Sequence, residues 1–249
     1  MTESLSTNSI HPAAALFNQP LPLTNYLCHW SKKHSFIYME TPKVACTTVK
    51  RVLQQAEAGG GLTYDKPGVV HDRTRSPLLA PRQDLSAFVE AWRAEEYFRF
   101  CFVRNPFTRI LSCWLDKMVK IQFERKRLAP KLNLKSENPP TFNVFLSAIA
   151  EQKDEECDIH WAPQTYLLRP NRVSYSFIGR FELFREQFRK ICEHLGISEY
   201  ANDLSITWHA THAYEKVKNY MGKQEIELIH RIYERDFRNF GYGWSPNVI

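Results

Sequence analysis

The sequence predicts a three-layer α/β fold: a central, mainly parallel sheet flanked by helices. Three observations support it. Short apolar segments rich in aromatic and β-branched residues alternate with amphipathic stretches of helical period. Two of those segments run straight into Pro-containing turns that open helices, as strands feeding crossover helices do. No Gly/Ser- or Pro-rich linker divides the 249 residues, 43% of them apolar and 24% charged, so one sizeable core is expected.

Residues 1–33 read as a flexible lead-in, with a single folded domain from 34 to 249. The first strand is placed at Ser35–Met39. After the Pro42-Lys43 turn, Val49, Val52, Leu53 and Ala56 recur at helical spacing, and Gly59-Gly60-Gly61 terminates that helix. Asp84–Glu96 forms a second amphipathic helix on Leu85, Phe88, Val89 and Trp92. Phe98–Val103, FRFCFV, is the second strand. Pro106 then starts a helix at a position where its missing N–H costs nothing. Its apolar stripe, Phe107, Ile110, Leu111, Trp114, Met118 and Ile121, is continuous, with Arg109, Ser112 and Asp116 on the other side. Arg125-Lys126-Arg127 reads as a solvated helix end, and Ala129–Thr141, with three prolines, as a long surface loop. Phe142–Ala150 is helical and Val173–Ile178 a third strand. The helix Phe184–Leu195 is closed by Gly196, and Lys223–Tyr233 is the last helix before an aromatic tail.

Lys and Arg outnumber Asp and Glu by 33 − 27 = 6, and the isoelectric point is near 9.0. That balance suits an anionic ligand without choosing one. No block of five or six consecutive basic residues points to nucleic acid. Cys28, Cys46, Cys101, Cys113, Cys157 and Cys192 show neither C-x-x-C nor metal-type spacing, so free thiols, no metal and a reducing compartment are expected. No stretch approaches the roughly 20 apolar residues of a membrane span. The N-terminus lacks a basic start followed by a long apolar region, which makes a cytoplasmic location the expectation.

Ligands of parallel α/β sheets sit at the carboxyl ends of strands, and two motifs leave strands there. In Pro42-Lys43-Val44-Ala45-Cys46-Thr47-Thr48, a strand–turn–helix unit aims N–H groups and a helix dipole at one point, with an ammonium and two hydroxyls added. The glycines and the Lys-Ser/Thr pair of a Walker A loop are missing, as is an apolar strand ending in Asp to help hold Mg²⁺. In the second motif Arg104 lies at a strand end, with Ser112 two helical turns on. A guanidinium fork with a hydroxyl suits a second phosphate. The bland alternatives are a capped βα connection and a structural arginine.

TPKVACTTVKRVL and FCFVRNPFTRILSCWLDKM resemble the two cofactor motifs of the sulfotransferases, specifically the carbohydrate sulfotransferase branch that includes the chondroitin 4-O-sulfotransferases. CDIHWAPQTYLL, SFIGRFELF and IYERDFRNFGY resemble further segments of that family, in the same order along residues 34–242, with departures at Val49 and Asn105. The resemblance implies a P-loop-like fold. It also implies 3′-phosphoadenosine 5′-phosphosulfate (PAPS) as donor and adenosine 3′,5′-bisphosphate as product, with no metal. Lys43 to Thr48 would hold the 5′ end of the donor, and Arg104 and Ser112 its 3′-phosphate.

In-line transfer to an acceptor hydroxyl, on a sugar by the family's implication, needs a general base of near-neutral pKa. His71, between the two motifs, where the resemblance implies a catalytic histidine, is the first candidate, and His160, beside Trp161, the second, each against the reading of an ordinary hydrogen-bonded histidine. Lys43 would neutralise charge on the leaving oxygen. Trp161 could stack on a sugar, and Arg180, at the end of a predicted strand, could steer an acidic acceptor. A nucleotide-dependent kinase, revealed by Mg²⁺ dependence, and a non-catalytic polyanion-binding module, which would ignore adenosine 3′,5′-bisphosphate, are the rival readings.

Overall fold

The computed structural model describes residues 12–202, 204 and 211–246. Four strands pair in the order β1 (Cys28–Ser31), β2 (Phe36–Met39), β3 (Phe98–Val103) and β4 (Phe177–Arg180). β1 is antiparallel to β2, whereas β2–β3 and β3–β4 are parallel, with Tyr38 opposite Phe100 and Cys101 opposite Ile178. Helices α1 (Pro12–Phe17) and α2 (Leu21–Leu27) precede the sheet. Between β2 and β3 lie α3 (Cys46–Ala58), α4 (Pro67–His71) and α5 (Leu85–Arg93). Then come α6 (Pro106–Trp114), α7 (Gln122–Leu128), α8 (Phe142–Ala150) and α9 (Gln164–Leu168) before β4, with α10 (Phe184–His194), α11 (Ala213–Tyr220) and α12 (Lys223–Phe240) after it.

Alternation along the strands divides the interior in two. Phe36, Tyr38, Phe100 and Phe102 pack with Val49, Val52 and Leu53 of α3 and with Phe184 and Phe188 of α10. Ile37, Met39, Cys101 and Val103 face the other way, onto α5, α6, α8 and α12. The sheet therefore carries helices on both faces, and both crossovers leave it at the same end. Gly179 of β4 lies under the Phe102 ring, which an added Cβ would meet at 2.3 Å.

The helix starts and stops follow their local chemistry. Asn105 Oδ1 accepts from Phe107 N at 2.9 Å, capping α6 ahead of its N-terminal Pro106. Gly59, at φ 74°, closes α3, and Gly60 N donates to Gln55 O at 2.8 Å.

Five expectations need correction. First, the boundary at residue 34 falls inside the β1–β2 hairpin. Within the described part of the expected lead-in, Phe17 is buried against Phe88 and Trp92, and all of β1 is buried; residues 1–11 lie outside the described residues. The polar letters of CHWS conceal a strand because His29 pairs with Glu40 and Ser31 with Glu57. Second, the stripe after Pro106 is not one α-helix: the winding widens to a π segment over Leu115–Lys120. Third, Arg125 is not solvated but 6% exposed, donating to Met118 O at 2.8 Å and Ser136 O at 3.0 Å, across the π segment and the following loop. Fourth, the third parallel segment joins the sheet only at Phe177, because Val173 is still bonded back to Arg169 O. Fifth, α12 continues past Tyr233, whose φ of −113° marks a kink, since Asp236, Phe237 and Phe240 also turn inward. Among the described residues no helix is long and apolar enough to cross a membrane.

Candidate active site

The turn between β2 and α3 answers the missing glycines. Lys43 and Ala45 take left-handed backbone conformations, at φ 70° and 53°, positions that glycine usually fills. Two arginines hold the strained turn from behind. Arg109 Nε donates to Pro42 O at 3.1 Å, and Arg104 Nη1 donates to Lys43 O at 3.2 Å. With those carbonyls engaged and Val44 fully buried, the first-turn N–H groups of α3, at Cys46, Thr47 and Thr48, begin a helix without intrahelical acceptors. That is the arrangement of an anion site.

The two sequence motifs are thus one structure. They leave neighbouring parallel strands, and the Arg104–Lys43 bond joins them. Arg104 is 6% exposed, stacks over Phe181 at 4.2 Å and donates from Nε to Thr108 Oγ1 at 3.0 Å. Burial pulls its pKa down to about 10, against the opposing charge of Glu182. A desolvated guanidinium at the strand end favours an anionic neighbour. Ser112 lies further along α6, and its Oγ accepts from Thr211 Oγ1 at 3.0 Å.

Lys43 reaches the π segment, where its Nζ donates to Asp116 Oδ2 at 2.7 Å. Lys117 stands 3.5 Å from the same oxygen. Burial lowers the Lys43 pKa, and Asp116 works against that.

His71, at the end of α4, places Nε2 3.0 Å from Thr47 Oγ1. Its Nδ1 lies 2.7 Å from Lys50 Nζ and 3.7 Å from Glu40 Oε1. Glu40 follows β2 directly and is fully buried. Burial works to raise its pKa, but the Lys50 ammonium and the hydrogen bond from His29 outweigh it and hold the carboxylate well below its usual range. His29 in turn is driven down to about 3 by burial, and the Arg73 guanidinium contacts its Nδ1.

His160 forms a separate dyad. Its Nδ1 is 2.6 Å from Asp158 Oδ1, while Lys131 Nζ bonds the other carboxylate oxygen at 2.6 Å. Burial lowers the His160 pKa and Asp158 opposes this; the charges of Lys117 and Lys43 also act on the ring. Burial raises the Asp158 pKa, but the hydrogen bond and charge of His160 hold it well below the usual carboxylate range.

Lys43, Thr47, His71 and Arg104 therefore come together, with His160 within reach of the charge on Lys43. Two expected acceptor contacts do not join them. Trp161 is fully buried, donating from Nε1 to Gln152 Oε1 at 2.9 Å and meeting Phe145 edge to face, so it offers no face to a sugar. Arg180 is committed to the C-terminal chain: Nη2 donates to Phe240 O at 2.8 Å and the guanidinium lies over Tyr242.

The segments around those two residues have another task. Gln164 Oε1 accepts from Arg104 N at 2.8 Å and its Nε2 donates to Arg104 O at 2.8 Å. Asp236 caps α9, accepting from Gln164 N at 2.8 Å and Thr165 N at 2.7 Å. Glu182 accepts from Asn105 N at 2.9 Å and from the Tyr242 hydroxyl at 3.0 Å. Gln164 and Glu182 thus hold the backbone of Arg104 and Asn105, with Asp236 fixing Gln164 in turn. Glu40, Lys50, Asp116 and Arg109 escaped the sequence reading because each lone charge beside an apolar stripe reads as a surface residue. Their pairing is visible only across 10 and 73 residues, for Lys50–Glu40 and Lys43–Asp116.

The sequence model described as "Sulfotransferase family" matches residues 29–243. Carbohydrate sulfotransferase 10 of Xenopus laevis is 30% identical over 236 residues, covering 85% of this chain and 66% of the relative. The Homo sapiens protein of the same name is 30% identical over 84% of this chain and 65% of its own. Carbohydrate sulfotransferase 14 of Danio rerio is 27% identical over 84% and 60%. The chain thus spans somewhat less than two thirds of the length of these curated relatives. No solved structure matches it. A family match across both strand-end motifs and the segments that brace them places the chain in the sulfotransferase family, with carbohydrate sulfotransferases as its relatives.

Proposed function

We propose that this protein transfers a sulfuryl group from PAPS to a hydroxyl of a carbohydrate acceptor, on a P-loop-like variant of the α/β fold. The observation that carries the reading is the Arg104–Lys43 bond, which joins two anion-type motifs at neighbouring strand ends. The residues present fit the donor. The 5′ end would be held by the first turn of α3, Lys43 and Thr47, and the 3′-phosphate by Arg104 and Ser112. When bound, PAPS supplies an activated sulfuryl group and leaves as adenosine 3′,5′-bisphosphate. The carbohydrate acceptor follows from the names of the relatives.

His160 takes the part of base. With Nδ1–H donated to Asp158, its Nε2 lone pair can receive the acceptor hydroxyl's proton. Lys43 neutralises the negative charge that grows on the departing oxygen. To do so its ammonium exchanges Asp116 for that oxygen, and Lys117 remains to pair the carboxylate. His71 is engaged with Thr47 and serves the donor side.

The test is a screen of sugar acceptors with labelled PAPS, alongside calorimetric binding of adenosine 3′,5′-bisphosphate. Transfer that persists in EDTA supports the reading. Binding of ATP with Mg²⁺, with turnover abolished by EDTA, would favour a kinase; indifference to the bisphosphate would favour a polyanion-binding module.

A further inference from the structure

Glu40, Cys46 and His71 bring three ligand-type atoms within 4.8 Å of one another, the spacing of a metal site. Lys50 extends into the same place. Its side chain is 1% exposed, and its Nζ is 2.7 Å from Glu40 Oε2 and 2.7 Å from His71 Nδ1. We infer that Lys50 is a positioning residue of the donor site: a built-in cation that fixes the tautomer of His71 and, through it, the direction of the Thr47 hydroxyl.

The argument is one of donors and lone pairs. An ammonium carries three hydrogens and no acceptor, so His71 must present a bare Nδ1 to Lys50. The ring proton then resides on Nε2, which lies 3.0 Å from Thr47 Oγ1 and donates to it. A hydroxyl that accepts from His71 keeps its own hydrogen for an anion held by the turn. The same rule applies on the far side of Glu40. Arg73 contacts His29 Nδ1, so His29 donates from Nε2 to Glu40 Oε2 at 3.0 Å. Glu40 thereby receives hydrogen bonds from both sides, one of them from Lys50, and Lys50 is held where it also meets His71. Without Lys50, Glu40 Oε1, 3.7 Å from Nδ1, becomes the natural acceptor for a proton on that nitrogen. Nε2 would then accept from Thr47 and draw the hydroxyl hydrogen away from the anion.

The identity of that anion rests on the function proposed above; the tautomer does not. Nitrogen-15 NMR of the imidazoles in the free protein should show His71 protonated at Nε2. Lys50→Met removes the cation and keeps Glu40 as the acceptor for a proton on Nδ1. In that protein, at a pH where the imidazole is neutral, the proton should move to Nδ1, and affinity for adenosine 3′,5′-bisphosphate should fall about tenfold, the worth of one charge-assisted hydrogen bond. Lys50→Arg keeps a donor-only cation and should retain the Nε2–H form. A folded Lys50→Met protein with the Nε2–H tautomer and unchanged affinity overturns the inference, as does an unmodified protein protonated at Nδ1. If the unmodified protein ignores the bisphosphate, the function reading fails while the tautomer measurement still decides the role of Lys50.

Discussion

Lys43 illustrates how a single residue can be legible only in part. Its motif marks it as an anion ligand, yet its left-handed backbone and its bond to Asp116 emerge only from the fold. Because Lys117 also reaches Asp116, Lys43→Met leaves no buried carboxylate unpaired. It should lower turnover at least about 100-fold while the thermal midpoint stays near that of the unmodified protein. Parallel turnover and melting measurements check both halves. For His160, the proposed base, burial holds the imidazole below its usual 6.5, so the neutral form persists to lower pH than in a free histidine. The acid limb of the kcat/KM profile should therefore fall below pH 6.5 and vanish in His160→Asn, with kcat reduced by about 10²–10⁴ and donor affinity retained. Trp161 shows the opposite failure of legibility. An indole beside a histidine suggests a sugar platform, but Gln152 draws its N–H inward, and nothing local in the sequence announces that partner.

At the level of elements, strands and helices with strong apolar periodicity were readable. β3, the start of α6 and α8 fall where the pattern puts them, because local chemistry decides them. β1 and the second half of α12 were hidden, since their inward residues are polar or follow a kink and make sense only with distant partners. The brace on Arg104 is of this kind. Asp236→Ala would free two buried backbone N–H groups at the start of α9, and should cost about 2–4 kcal/mol in urea unfolding. Because Gln164 starts α9 and grips Arg104, the same change should raise the KM for donor more than it lowers kcat. A change in stability with no change in donor KM would separate α9 from the anion site.

For the molecule as a whole, the basic balance visible in the sequence points to anionic ligands, but says nothing of the buried charge network around Glu40 or its response to acid. His29, with its pKa near 3 in the fold and 6.5 when unfolded, is neutral in the native state. Between those values the unfolded chain binds more protons, so stability falls as pH falls, by roughly 1.4 kcal/mol per unit. Glu40 acts in the same direction: its stabilisation is present above about 4.5 and is lost as pH drops through its depressed native value. The urea midpoint should decline steadily from pH 6.5 and more steeply below 4.5. A flat profile across that range would contradict the buried network.

The hairpin that reverses β1 against β2 has a consequence for where this enzyme-like unit can be cut. A chain trimmed to begin at residue 34 would retain every motif residue, yet it would lose His29, the neighbour that steadies Glu40 from behind. The bare Glu40 would then compete for Lys50, and damage done at the amino terminus would surface as slackness at His71 and the turn that opens α3.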